Sequence, residues 1–179
     1  MRSLVPDFEV ATADEVEEAH DASLPPAALT EHNARLKAGA VAARHPGALV
    51  LGADTLVYLD GDPLGKPASL AEAAAMLRRL SGRTHIVCTG VCLAGPGSGE
   101  VDCFHDLTLV TFRPLTEAMI SDYLARVHVL DKAGAYAAQE CGELIIERMD
   151  GSWSNVVGLP LEALEARLTR WADVETADN

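Results

Sequence analysis

Basic residues are scarce in this chain of 179 residues. Lys and Arg number 14 against 27 Asp and Glu, which gives a formal net charge of −13 and a pI near 4.7. Because a field of this sign repels phosphate polymers, a nucleic acid is not an expected partner. A small anionic substrate remains compatible with the charge, since a few convergent lysines or a bound divalent cation reverse the field locally. Any phosphate site is therefore expected to be compact.

Long apolar runs and closely spaced cysteines are also lacking. No stretch approaches the roughly 20 apolar residues of a membrane span, and the N-terminus lacks the basic and then apolar layout of a signal peptide. A cytoplasmic location without a membrane partner is the expectation. The four cysteines form no Cys-x-x-Cys pair and no zinc-finger spacing with histidine. They are interpreted as reduced, mostly buried thiols.

Two common catalytic motifs are missing. The P-loop pattern Gly-x-x-x-x-Gly-Lys-Ser/Thr is absent, which excludes a P-loop NTPase. The Gly-x-Ser-x-Gly elbow is also absent, which weakens the case for a hydrolase that works through an acyl intermediate.

Short apolar runs alternate with helical patterns, which predicts a single α/β domain over residues 1–179. Branched apolar runs predict strands at 49–58, 85–93, 107–112 and 143–147. Capping signals predict helices from Thr30 to about Ala43, from Ser69 to Gly82, from Thr116 to about Val127, and from Pro160 to near Trp171. Residues 172–179 are polar and are expected to fray.

Asp54 is the most informative single residue. It lies with Thr55 inside the otherwise apolar segment 50–57, and an ionised carboxylate is costly to bury without a partner. One interpretation is an aspartate that caps a turn or binds backbone amides where a strand ends. The other is a metal ligand or general base near a strand terminus, where α/β ligand sites tend to lie.

Lys37 and Lys66 are isolated cations. Lys37 lies within a predicted helix beside Leu36, and Lys66 lies in the restricted loop Gly65-Lys66-Pro67. Either lysine alone is typical of solvated surface. Together with Asp54 they suit phosphate clamps, because an ammonium is a point charge that matches phosphate.

Two further segments place small residues around polar ones. In segment 131–139 a ligand could approach the backbone closely, and Gln139 could contact a base edge through its amide, although an ordinary turn would look the same. The loop 151–160 leads into a predicted helix N-terminus, where anions bind readily, with plain capping as the alternative. His85, at the start of a strand, is interpreted as structural.

These segments, in this order, resemble the Maf family, relatives of septum-formation inhibitors that act as nucleoside triphosphate pyrophosphatases. The likeness covers nearly the whole chain. It is carried by Phe8-Glu9-Val10, Asp14-Glu15, Lys37-Ala38, Gly52-Ala53-Asp54-Thr55, Leu64-Gly65-Lys66-Pro67, Leu80-Ser81-Gly82, segment 85–91, segment 131–136 and segment 155–161. The resemblance implies a Maf/inosine-triphosphatase-like α/β fold with a mixed central sheet flanked by helices.

The resemblance also implies a reaction, the hydrolysis of a pyrimidine nucleoside triphosphate to the monophosphate and pyrophosphate. Water assisted by Mg²⁺ or Mn²⁺ would attack the α-phosphorus. Asp54 would accept the proton and, with Glu15, hold the cation. Lys37 and Lys66 would clamp the triphosphate.

The substrate preference is implied by the Asp54-Thr55 pair and by Gln139, which resemble the branch that prefers dTTP and UTP. Thr55 and Gln139 would then contact the nucleotide, and a homodimer is the assembly that the resemblance implies. Two alternatives remain: an inactive or regulatory nucleotide-binding protein linked to cell division, and a pyrophosphatase for other or modified nucleotides.

Family members begin with a strand and a Ser-x-Ser-Pro-Arg-Arg loop that supplies hydroxyls and arginines to the phosphates. Residues 1–6 of this chain match the segment just downstream of that loop. The expectation is either a start codon placed too late or a truncated member, whose loss of two arginine clamps would reduce its activity.

Overall fold

The computed structural model describes the chain except residues 2, 3, 6, 22, 98–100, 178 and 179, and the side chains of 172–177. The described strands form one sheet of order β2-β1-β3-β4-β5, namely β1 Val50–Leu59, β2 Asp62–Leu64, β3 Thr84–Ala94, β4 Val101–Phe112 and β5 Ile146–Asp150. The helices are α1 Pro26–Arg44, α2 Leu70–Leu80, α3 Glu117–Arg126, α4 Trp153–Val156 and α5 Leu161–Ala177. Among these described helices, none is both long and apolar enough to cross a bilayer.

The α/β prediction is confirmed, although all four strand pairings in the described residues are antiparallel rather than mixed. A tight turn joins β1 to β2 through Asp60 and Gly61, whose φ values of 56° and 90° suit a type I′ hairpin. Strands β3 and β4 pair from Thr84 opposite Thr111 to Ala94 opposite Val101. A tight turn between sequential strands gives antiparallel neighbours, as for β1 and β2.

Local capping signals give the starts of α2 and α3 as predicted. Ser69 Oγ accepts the Glu72 N–H at 3.2 Å, and Thr116 Oγ1 accepts the Met119 N–H at 3.3 Å. Both helices therefore begin directly after their predicted cap.

The predicted start of α1 at Thr30 is wrong. The helix begins at Pro26, and Thr30 is buried within it, where its hydroxyl donates to Pro26 O at 2.9 Å. Proline suits the first turn of a helix because its missing N–H has no partner there. The C-terminal helix α5 runs to Ala177, beyond the predicted end near Trp171, and the expected fraying of 172–179 lies partly outside the described residues.

The last strand lies later than predicted. Segment 142–144 forms a 3₁₀ turn, so β5 begins at Ile146. The strand β4 begins at Val101, six residues before the predicted start at Leu107.

Helix α1 packs on one face of the sheet and the hydrophobic core with α2 and α3 lies on the opposite face. The close approach of α1 depends on two glycines. A Cβ on Gly52 would lie 2.4 Å from Ala34 O, and one on Gly90 would lie 2.4 Å from Thr30 O. Because side chains alternate along β1, Asp54 faces α1 whereas Thr55 points to the opposite face.

Candidate active site

Asp54 lies in the middle of β1, beneath α1, and is 6% exposed. Its Oδ1 accepts a bond from Lys37 Nζ at 2.8 Å, and its Oδ2 accepts one from Asn33 Nδ2 at 3.2 Å. The interpretation of Asp54 as a turn cap is therefore wrong, as is its placement near a strand end. The partners of the carboxylate are side chains of the helix that covers it.

Lys37 joins Asp54 to a second carboxylate. Its Nζ lies 2.7 Å from Glu18 Oε1 and 2.8 Å from Asp54 Oδ1, and it donates to Ala53 O at 3.4 Å. These acceptors match the three N–H donors of an ammonium. Burial lowers the pKa of Lys37, but the hydrogen bonds and charges of Asp54 and Glu18 outweigh it, so the net pKa is raised. Lys37 is therefore firmly protonated.

Glu18 lies in the electrostatic field of both predicted phosphate-binding lysines. Burial raises the pKa of its carboxyl, but the hydrogen bond from Lys37 and the charges of Lys37, Lys66 and His20 leave it lowered overall. Glu18 is not among the residues predicted from the sequence, because the acidic run around it is typical of a solvated face. It is the carboxylate that the structure brings to Lys37 and Asp54.

Glu15, the predicted cation ligand, lies elsewhere. Its side chain is exposed, and its Oε1 is 3.4 Å from Nη1 of Arg44, the last residue of α1. The described contacts of Asp54 do not include Glu15. Its role as a ligand stays a prediction.

Thr55 belongs to a buried polar network on the opposite face of the sheet. Its Oγ1 is 2.9 Å from Thr89 Oγ1, and Thr89 in turn donates to Asn155 O at 3.1 Å. Asn155 Nδ2 donates to Val87 O at 3.2 Å and to Thr108 Oγ1 at 2.9 Å. The polar residues of loop 151–160 thus pack α4 against β3 and β4, and the structure does not bring the Thr55 hydroxyl to Asp54.

Lys66 and Gln139 are both exposed and lie on two segments that meet. The Gly134 N–H donates to Gly65 O at 3.1 Å, and Gly134, with φ of 68°, packs on Val57 of β1. A Cβ at Gly134 would lie 3.0 Å from that valine side chain. The loop of Lys66 and the segment of Gln139 are therefore held together beside β1.

A family model described as Maf-like protein matches residues 1–171. The chain belongs to the Maf family. It is 53% identical over 155 residues to a dTTP/UTP pyrophosphatase of Akkermansia muciniphila, a match that covers 86% of this chain and 80% of that protein. It is 47% identical to a protein of the same name from Deinococcus radiodurans, over 93% of this chain and 83% of the relative. A relative of that name from Myxococcus xanthus is 48% identical over 91% and 81%.

Two carboxylates are the candidate ligands that this Maf protein offers a divalent cation. Among the residues described, no group of three or more His, Cys, Asp or Glu side chains is placed to hold a metal. Asp54 and Glu18 nevertheless meet at one ammonium, which places two carboxylates close together. Mg²⁺ in nucleotide sites is usually held by one or two carboxylates, with phosphates and water completing its coordination. The pair fits that requirement.

His85 of the Maf chain packs in the protein interior against two aromatic rings. Its Nε2 lies 2.9 Å from the Tyr136 hydroxyl, and the His85, Phe112 and Tyr136 rings pack edge to face. Burial lowers the pKa of His85 to about 4, so the ring is neutral near pH 7. It anchors Tyr136, which lies three residues before Gln139 in the same segment.

Proposed function

We propose that this Maf protein is a nucleoside triphosphate pyrophosphatase that hydrolyses dTTP and UTP to the monophosphate and pyrophosphate. The observation that carries the proposal is the buried Asp54 carboxylate, paired with Lys37 beside Glu18. Relatives that are 43% to 53% identical are named dTTP/UTP pyrophosphatase, which supports the substrate class. The cytoplasm is the proposed location, and a homodimer the proposed assembly.

Asp54 is the proposed general base. Its carboxylate takes a proton from water as the water oxygen bonds to the α-phosphorus, and the bond from that phosphorus to the bridging oxygen breaks. Pyrophosphate leaves with the electron pair of that bond. A positioned base of this kind contributes about 10²- to 10⁴-fold to a rate.

Asp54 and Glu18 are the proposed holders of Mg²⁺ or Mn²⁺. When bound, such a cation neutralises charge on the phosphate oxygens and lowers the pKa of water. Glu18 takes the place that the resemblance gave to Glu15, because it is Glu18 that shares the Lys37 ammonium with Asp54.

Lys66 is the lysine best placed to receive a phosphate. Its side chain is exposed, whereas the three donors of Lys37 are directed at Glu18, Asp54 and Ala53 O. Lys37 clamps a phosphate only after it releases one carboxylate, which its flexible stem permits. The two lysines therefore act in sequence, Lys66 before Lys37.

Gln139 is the proposed contact to the pyrimidine. Its segment is hydrogen-bonded to the loop of Lys66 through Gly134 and Gly65, which supports a shared role for the two segments in binding one nucleotide. The Thr55 hydroxyl is already engaged with Thr89 Oγ1, at 2.9 Å, and binds a nucleotide only if it exchanges that partner. We therefore assign base selection to Gln139 before Thr55.

The test is product analysis with dTTP, UTP, CTP, GTP and 7-methyl-GTP in Mg²⁺ or Mn²⁺, with pyrophosphate resolved from orthophosphate. Pyrophosphate from dTTP and UTP is expected. The variant Asp54→Asn should lose at least about 10²-fold in kcat while its circular dichroism stays unchanged. Full activity in that variant would remove Asp54 from the mechanism. Tight nucleotide binding by calorimetry, without product, would instead support a regulatory nucleotide-binding protein.

A further inference from the structure

Asn33 is a buried residue that the mechanism above does not use. It lies on α1 one turn before Lys37 and is 1% exposed. Its Nδ2 donates to Asp54 Oδ2 at 3.2 Å and to Ala19 O at 3.2 Å, while its Oδ1 accepts the Ala19 N–H at 2.8 Å. One amide therefore contacts both the Asp54 carboxylate and the backbone next to Glu18.

The Ala19 contact matters because residues 16–21 belong to no helix or strand. Because no helix or strand holds this segment, the position of Glu18 depends on its ion pair with Lys37 and on the two hydrogen bonds between Asn33 and the Ala19 backbone. A single ion pair with a flexible lysine leaves the direction of the backbone free. Two bonds from one planar amide fix it.

We propose that Asn33 is a positioning residue that sets the separation and orientation of the Glu18 and Asp54 carboxylates. The expected effect of Asn33 on the rate rests on the proposed hydrolysis, whereas the contacts of Asn33 are tested without any reaction. Only asparagine combines a donor for Asp54 with an acceptor for the Ala19 N–H at this length. An ionised aspartate keeps the acceptor and loses the donors, and leucine loses both.

The kinetic test compares Asn33→Asp and Asn33→Leu with the parent protein. Loss of a group that orients such carboxylates typically costs about 10- to 100-fold in activity, so we expect kcat for dTTP to fall in that range with KM little changed. The matched control is His32→Ala, because His32 is exposed on the same helix. Unchanged kcat in both Asn33 variants, or a loss confined to KM, would overturn the positioning role.

The contacts are tested by NMR hydrogen exchange on ¹⁵N-labelled protein without nucleotide. Asn33→Leu should speed exchange of the Ala19 amide, whereas Asn33→Asp, which keeps the acceptor, should protect it. Asp54→Ala should remove the acceptor of one Asn33 side-chain N–H, so that this proton exchanges faster, and should leave the Ala19 amide protected. Unchanged Ala19 exchange in Asn33→Leu, or unchanged Asn33 protons in Asp54→Ala, would refute the proposal. These readouts decide it even if the parent protein releases no pyrophosphate.

Discussion

Lys37 supplies the one countercharge that Glu18 and Asp54 share in the described contacts, so its removal leaves two carboxylates unbalanced. Removing one partner of a buried pair costs about 3–5 kcal/mol. The side chains of Lys37 and Glu18 are 24% and 32% exposed, and solvent screening reduces this cost. We expect Lys37→Met to lower the free energy of unfolding by about 2 kcal/mol in urea at pH 7.

The matched control is Lys132→Met, because the Lys132 ammonium binds the exposed carboxylate of Asp131 at 2.8 Å. An exposed pair of this kind contributes at most about 1 kcal/mol. Equal losses of unfolding free energy in the two variants would show that the ion pairs of Lys37 stabilise the fold no more than an exposed ion pair does.

The buried His85 makes the stability of the fold depend on pH. Its pKa in the folded protein is lowered to about 4 by burial, below its ordinary value of 6.5. The unfolded chain therefore binds the proton first, so the stability is fully present above pH 6.5 and is lost as the pH falls toward 4. A pKa depressed this far corresponds to about 3 kcal/mol.

The measurement is urea unfolding of the parent protein and of His85→Gln between pH 7 and pH 4. Glutamine offers Tyr136 a hydrogen bond and does not titrate. We expect the parent to lose about 3 kcal/mol more than the variant over this range. Parallel pH profiles would contradict a neutral buried His85.

The sequence singles out Asp54 and Lys37 because each is a polar residue with apolar residues around it, and the structure brings the two into contact at 2.8 Å. The sequence does not single out Glu18, since it is one of the five acidic residues in segment 14–21. What distinguishes Glu18 is the contact of its neighbour Ala19 with Asn33, 14 residues away. No local pattern signals a contact of that range.

At the scale of elements, the position of α1 over β3 depends on Gly90. A Cβ there would lie 2.2 Å from the Thr30 carbonyl carbon, a backbone atom that cannot rotate away. We expect Gly90→Ala to displace α1, to lower the free energy of unfolding by about 1–3 kcal/mol, and to reduce kcat because Asn33 and Lys37 move with the helix.

Gly39→Ala is the control for that variant. Gly39 is exposed in α1, and a Cβ at this position would meet nothing within 4 Å. The substitution should stabilise the protein by about 0.5–1 kcal/mol through helix propensity, with kcat retained. If Gly90→Ala were as stable and active as Gly39→Ala, the close approach of α1 would not position the site.

The capping signals at Ser69 and Thr116 predict the starts of α2 and α3, whereas the one at Thr30 does not, because its hydroxyl bonds Pro26 O inside α1. The strand β5 was predicted too early, because its apolar run 144–146 suggested a strand. In the structure Ile145 is buried in the core, and the pairing of segment 146–150 with β4 decides where the strand lies. That pairing is a tertiary contact, which overrides local propensity.

For the whole molecule, the formal net charge of −13 opposes the approach of a nucleotide triphosphate. This repulsion is long-range, and the Debye length shortens from about 30 Å at 0.01 M salt to about 8 Å at 0.15 M. Attraction by Lys66 acts at contact distance and is screened less. We therefore expect kcat/KM for dTTP to rise about two- to threefold over this range of salt.

Charge reversal away from the site separates the repulsion by the acidic surface from the attraction by Lys66. Glu147 and Glu165 are exposed, on β5 and α5, and neither contacts Asp54 in the described structure. The double variant Glu147→Lys with Glu165→Lys should raise kcat/KM at low salt and flatten its salt dependence, because the global field weakens while the site stays intact. A parent kcat/KM that instead falls with salt would mean that the field of the local lysines outweighs that of the acidic surface, so that approach is governed by the site itself.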